Sequence, residues 1–119
     1  MTRLFPEPTI AQHFVGRAPA VRKTYDRIVR VAESLGPVRQ EPKKTCIHLT
    51  RHTAFAGIAT RRDGLILTIK SAADIDSPRI IRRDQASANR WYLEIRLDKP
   101  EQVDRELTSW LKQSVDLSG

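Results

Sequence analysis

The chain has a single cysteine, Cys46, so no intramolecular disulfide can form and no cysteine framework can hold a metal. No apolar run approaches the roughly 18 residues of a membrane helix. The opening residues, MTRLFPEPTI, lack the apolar stretch of a secretory leader. A reducing cytoplasm is the compartment these absences point to. Also missing are a glycine-rich phosphate loop, a nucleophile elbow and a helix with paired histidines. With 119 residues, the chain suits one domain, residues 1–119, with no need of a disulfide or metal to hold its core.

Charge is abundant and uneven. The net charge is +7, and residues 39–90 carry most of the excess, with eleven Lys/Arg against five acids. Residues 1–38 hold six against three, and residues 91–119 hold four against six. Basicity concentrated in the middle of a chain favours an anionic partner, nucleic acid being the commonest. Basic charge for solubility alone is the plainer explanation.

Three segments repeat with the period of a helix. PTIAQHFVG (8–16) sets Ile10 and Phe14 on one face and stops at Gly16. APAVRKTYDRIVRVAESLGP (18–37) opens with Pro19, stripes Val21, Tyr25, Ile28, Ala32 and Leu35, and closes at Gly36–Pro37. DKPEQVDRELTSWLKQ (98–113) places Val103, Leu107, Trp110 and Leu111 together. Between the second and third the period falls to two. TCIHLTR (45–51), AFAGIAT (54–60), LILTIK (65–70) and RWYLEIRL (90–97) read as strands, with RIIRR (79–83) a weaker one. The expected architecture is α+β: two N-terminal helices, a mainly antiparallel sheet of about five strands, and a C-terminal helix packed on one face.

Asp63–Gly64 offers a two-residue hairpin turn. It would set Ile58 opposite Ile69, Thr60 opposite Leu67 and Arg62 opposite Leu65, with Ala59–Thr68 and Arg61–Ile66 on the other side. One side of the sheet then carries Ile47, Leu49, Ile58, Leu65, Leu67, Ile69, Trp91, Leu93, Ile95 and Leu97. Trp91, Trp110 and Phe14 are assigned to the core. The other side carries Lys44, Cys46, His48, Thr50, Phe55, Gly57, Ala59, Arg61, Ile66, Thr68, Lys70, Arg90, Tyr92, Glu94 and Arg96. Five cations stand there against one carboxylate. Lys43, Lys44, Arg61, Arg62, Arg79, Lys70, Arg90 and Arg96 would meet phosphates, His48 would add a polar contact, and Phe55 and Tyr92 would stack bases. Gly57 and Ala59 would let a ligand approach the backbone. The competing explanation of the aromatics is packing, with a second helix or a homodimer partner covering the face.

EPKKTCIHLTRH (41–52) concentrates the residues that bear chemistry. Cys46 and His48 share a strand face, about 6.6 Å apart along the chain. A closed zinc site needs four ligands and a catalytic one three, and no second Cys/His pair exists to complete either. A Cys–His nucleophile needs a contact and an oxyanion hole that spacing alone does not supply. A solvated strand face is the simpler reading, and no metal or cofactor is expected.

The one enzymatic pattern is nuclease-like: Asp74 and Asp76 on a loop, then Glu94-Ile95-Arg96 on a strand. Arg96 stands where such sites need a lysine, and an arginine keeps its proton. Asp76, close before Pro78–Arg79, reads more simply as a turn residue with a cationic neighbour. The reading that follows is a non-catalytic module using the basic sheet face against DNA or RNA. The alternative is a protein-interaction or small-anion-binding domain, with Lys44, His48, Arg79, Asn89 and Arg90 around a carboxylate or phosphate.

Taken in order, HFVGRAPAVRKTYDRIV, LGPVRQEPKKTCIHL, FAGIATRRDGLILTIKS, DSPRII, NRWYLEIRL and VDRELTSWL make the chain, over residues 12–116, similar to a bacterial family of small uncharacterised domains. That family is known as a domain of unknown function, standing alone or following another uncharacterised domain. The resemblance implies an α+β domain and carries no catalytic residues to transfer. Some relatives bear a transport label, which the lack of a membrane segment here does not support.

Overall fold

The computed structural model describes residues 7–118. Among the described residues are two α-helices and six strands, with all strand pairings antiparallel. Helix α1 spans Pro19–Ser34 and α2 spans Arg105–Ser118. The strands are β1 (Arg39–Pro42), β2 (Ile47–Thr50), β3 (Ala54–Thr60), β4 (Leu65–Ser71), β5 (Ile80–Ser87) and β6 (Arg90–Leu97), in the sheet order β1-β2-β3-β4-β6-β5.

This corrects the expected two N-terminal helices and five strands. The segment 8–16 forms only a one-turn 3-10 helix, Ala11–Phe14, ended by Gly16 at φ +73°. Its apolar residues, Ile10 and Phe14, are too few to bury a full helical stripe, and both are partly exposed. The additional strand, β1 (RQEP), carries no apolar alternation because it is an edge strand, and it pairs with β2 alone. The third helix begins later than residue 98: Pro100–Gln102 is a separate 3-10 turn, and α2 runs to Ser118. Strand β5 continues past residue 83 to Ser87 through polar residues that periodicity does not mark.

Helix α1 forms as its stripe predicts, with Val21, Tyr25, Ile28 and Ala32 buried. It ends where the Leu35 N–H bonds back to Ala32 and Gly36 takes φ +140°, a region open to glycine. A side chain at Gly36 would also run into the Arg51 guanidinium, which donates to the Leu35 carbonyl. On α2, Leu107, Trp110, Leu111 and Val115 are buried on the same core. Arg79 ties the start of β5 to this helix: it bonds Asp104 at 3.0 Å and Glu106 at 3.1 Å, and its guanidinium lies 5.6 Å from the Trp110 ring centre.

The hairpin register differs from expectation by two residues. Ile58 faces Leu67 and Thr60 faces Leu65, and the turn sits on Arg62–Asp63, closed by Arg61 N–H to the Gly64 carbonyl at 2.7 Å. Gly64 is therefore not a positive-φ turn residue. It is small because a Cβ there would press on Asp98 and lie 2.9 Å from the Leu97 carbonyl. Side chains alternate with period two, so a slip of two leaves each residue on its expected face. Ile47, Leu49, Ile58, Leu65, Leu67, Ile69, Leu93, Ile95 and Leu97 are all buried on the helix side, with Trp91 partly buried against them.

At one end of the β3–β4 ladder a helix side chain replaces a rung. The Ser114 hydroxyl donates to the Phe55 carbonyl and accepts the Lys70 N–H at 2.9 Å, and Ser114 is fully buried. Removing it orphans a buried donor and acceptor, so Ser114→Ala is expected to lower stability by about 1–3 kcal/mol in urea unfolding. An unchanged midpoint would mean that the two backbone groups pair directly.

Asp104 caps α2 by accepting the Leu107 N–H at 3.0 Å. That bond, and then Arg79, hold its carboxyl below the usual aspartate range. A depressed folded value stabilises above the unfolded value near 3.9, and that stabilisation is lost as pH falls through the folded value. The stability difference between wild type and Asp104→Asn is therefore expected to be constant near neutrality and to shrink below about pH 4. A constant difference down to the acid transition would overturn this.

Candidate functional site

Both helices cover one side of the sheet, and among the described residues no helix lies across the other. Cross-strand partners there form rungs. One runs His48–Gly57–Thr68–Glu94–Arg82, another Lys70–Tyr92–Asp84, and a third Ala59–Ile66–Arg96. Between β2 and β6 these rungs border a trough of about 430 Å³, within the usual range for a small-molecule pocket. His48 and Cys46 stand on the β2 side, and Lys70 and Tyr92 on the β4–β6 side. The floor is the β3 backbone, bare at Gly57 and nearly so at Ala59.

Gly57 explains why the trough exists. It lies inside a seven-residue strand without positive φ. A Cβ placed on it would meet only Thr68 Cβ at 3.8 Å and His48 Cδ2 at 4.0 Å, ordinary van der Waals distances. Neither backbone conformation nor packing asks for glycine here. Glycine inside a strand destabilises it, and one often marks the close approach of a ligand or another backbone.

The expected site residues divide into those the fold gathers and those it disperses. His48, Lys70 and Tyr92 meet in the trough, and Arg90 flanks Lys70. Phe55 is also part of its wall, yet it is 1% exposed in the core and offers no stacking surface. Tyr92 is 38% exposed at the rim. Lys43 and Lys44 lie in the β1–β2 turn rather than on the sheet, because β2 begins at Ile47. There they border a separate cleft of about 230 Å³ with Gln12 and His13, whose Nε2 lies 2.8 Å from the Lys43 carbonyl. Arg61 and Arg62 mark the far hairpin, exposed.

Arg79 is bound to the start of α2, so the expected grouping of Lys44, His48, Arg79, Asn89 and Arg90 is not assembled. Arg96 bonds Asp98 at 2.9 Å. The carboxylates of the nuclease-like pattern are separated: Asp74 bonds Arg83 at 2.8 Å, and Glu94 lies 3.8 Å from Arg82. Among the described residues, no group of three His, Cys, Asp or Glu could hold a metal ion.

Lys70 and Arg90 form no ion pair among the described residues. Burial, and then the nearby Arg90 charge, lower the Lys70 amine below the ordinary lysine value. With no carboxylate paired to either cation, this corner of the trough is short of negative charge. Sequence reasoning gave Gly57 and Ala59 the role of admitting a ligand to the backbone, and placed Cys46 and Thr68 on this face without choosing them for the site. It missed Ser114, whose signal is a small polar residue at the 107/110/111/114 helical spacing.

The model of a family described as a domain of unknown function (DUF5655) matches residues 10–118. No curated protein and no solved structure matches the chain.

If Gly57 is an open floor rather than a packed one, Gly57→Ala is expected to raise stability by about 0.5–1 kcal/mol, measured by urea unfolding. A loss of stability would show that the trough is already filled by its own walls.

Proposed function

We propose, for a chain that belongs to the DUF5655 family of domains of unknown function, a non-catalytic binding role exercised by the trough on the uncovered sheet face. The ligand is a small molecule with a carboxylate or phosphate and a flat apolar body. Its body would lie on Gly57 and Ala59 between His48 and Tyr92, and its anionic group would meet Lys70 and Arg90. The observation that carries this is Gly57, a strand glycine with room for a Cβ at ordinary contact distances and no structural reason to be glycine. The lone thiol of Cys46 suits a cytoplasmic setting, where thiols stay reduced.

A nucleic-acid strand laid along the same face is the second reading. It is favoured by the rim position of Tyr92 beside Lys70 and Arg90. It draws less support because Phe55 is in the core, and because Arg79, Arg82, Arg83 and Arg96 each face a carboxylate.

Titration of the protein with benzoate, followed by amide NMR, tests the proposal. Shifts are expected at Gly57, Thr68, Lys70 and Tyr92, and they should disappear in Gly57→Leu, which fills the floor. Salt should weaken this binding only modestly, since one charge is neutralised, whereas a mixed oligonucleotide contacting several cations would lose affinity steeply. Shifts scattered away from the trough, or none at all, would end the small-ligand reading. Steep salt dependence with an oligonucleotide would favour the second reading.

A further inference from the structure

We infer that Lys70 is a reactive amine that condenses reversibly with a carbonyl group on the trough's ligand, giving an imine while Arg90 holds a carboxylate or phosphate of the same molecule. This rests on the binding role proposed above and narrows it to carbonyl acids. The geometry supplies the case. Lys70 lines a cavity with an apolar floor, opposite Tyr92 and across from His48. Its backbone N–H is fixed by Ser114 at 2.9 Å, so the base of the side chain does not drift with the strand end.

Lys70 has no carboxylate within ion-pair distance among the described residues, although Glu94 lies one rung away. Glu94 faces Arg82 instead, at 3.8 Å. The titratable and charged groups around Lys70 are Cys46 and His48 from the β2 side and Arg90, Tyr92 and Glu94 from β6, while β3 contributes none to the floor. Partial desolvation and a neighbouring cation both enlarge the neutral, nucleophilic fraction of a lysine amine. Such a group in a cleft is a candidate for function on physical grounds.

The chemistry balances without any redox partner. The Nζ lone pair attacks the carbonyl carbon, a C–N bond forms, and the carbonyl π pair moves to oxygen, which takes a proton. The nitrogen then loses its protons as the hydroxyl leaves as water, and C=N remains. Hydrolysis reverses each step and returns the free amine. Tyr92 and His48 are the polar groups placed to pass the proton in either direction.

The test uses the full chain with glyoxylate, which carries a carbonyl beside a carboxylate, trapped by cyanoborohydride and read by peptide mass mapping. Lys23, Lys43, Lys44, Lys99 and Lys112 are internal references in the same molecule. Lys70 is expected to be modified about tenfold faster than any of them near neutral pH. Arg90→Gln should slow trapping of glyoxylate more than trapping of acetaldehyde, which lacks the carboxylate. Labelling spread evenly over the six lysines would overturn the inference even if benzoate still shifted the trough amides, leaving the binding role standing. Selective labelling of Lys70 by both aldehydes at equal rates, with no benzoate shifts, would keep the reactive amine and remove the anion-binding role. Both readouts use the wild-type chain first, so a variant that fails to fold does not decide the result.

Discussion

Every feature of the site depends on helices covering only one side of the sheet. The apolar stripes of α1 and α2 converge on the same set of buried strand residues, from Ile47 through Leu97. Burial of that side fixes which residues of each strand point toward the helices, and alternation then fixes what points away. A single change of parity in β4 would bring Thr68 and Lys70 into the core and expel Leu67 and Ile69. At roughly 1.5–3 kcal/mol for each large apolar side chain left unburied, that state is far out of reach. His48, Gly57, Thr68, Lys70 and Tyr92 are thus held on one surface by residues on the opposite side that never touch them.

An uncovered sheet face also has to remain soluble and avoid collapse, and charge pairing does that here. Arg82 faces Asp84 and Glu94, Arg96 bonds Asp98, and Arg83 bonds Asp74. Such exposed pairs contribute little stability, commonly under about 1 kcal/mol each. Their effect is on the local field. They neutralise the β5 edge and the Arg96 end of β6, while Lys70 and Arg90 stay uncompensated beside the trough. The proposed ligand is therefore selected by where carboxylates are lacking, more than by where cations are numerous.

Much of this was readable from residue order. The period-two runs specified the two sides of the sheet, including Gly57 and Ala59 as its smallest members, and the face assignments survived a register error of two residues because the pleat repeats every two. Edges were harder. Strand β1 and the outer half of β5 have no buried side to impose alternation, so RQEP and DQAS carry no signal. The one-turn 3-10 segment reads as a helix because two apolar residues at helical spacing resemble a stripe. Salt-bridge partners were also hidden. Arg79 and Arg82 look alike in a basic run, and only the fold sends the first to the cap of α2 and the second to Glu94. Phe55 looked outward by parity, but the irregular pairing beside it, between Leu49 and Thr50, and the Ser114 bridge at its carbonyl accompany a ring that is buried in the core.

Charge segregation along the chain can now be interpreted by distance. A net +7 acts over a range of about 8–10 Å at physiological salt, which is short against the 46 Å length of the molecule. Cations on the hairpin at Arg61–Arg62 and in the turn at Lys43–Lys44 hence act as separate local fields, not as one sheet-wide band. An extended polyanion would have to bridge those fields across the trough rim, over a floor that offers no exposed aromatic to stack upon. A small anion needs only the corner where Lys70 and Arg90 meet. The same basicity that suggests nucleic acid when summed over residues 39–90 favours a compact ligand once each charge is placed, because ion pairs engage Lys43, Arg79, Arg82 and Arg83 and distance divides the rest.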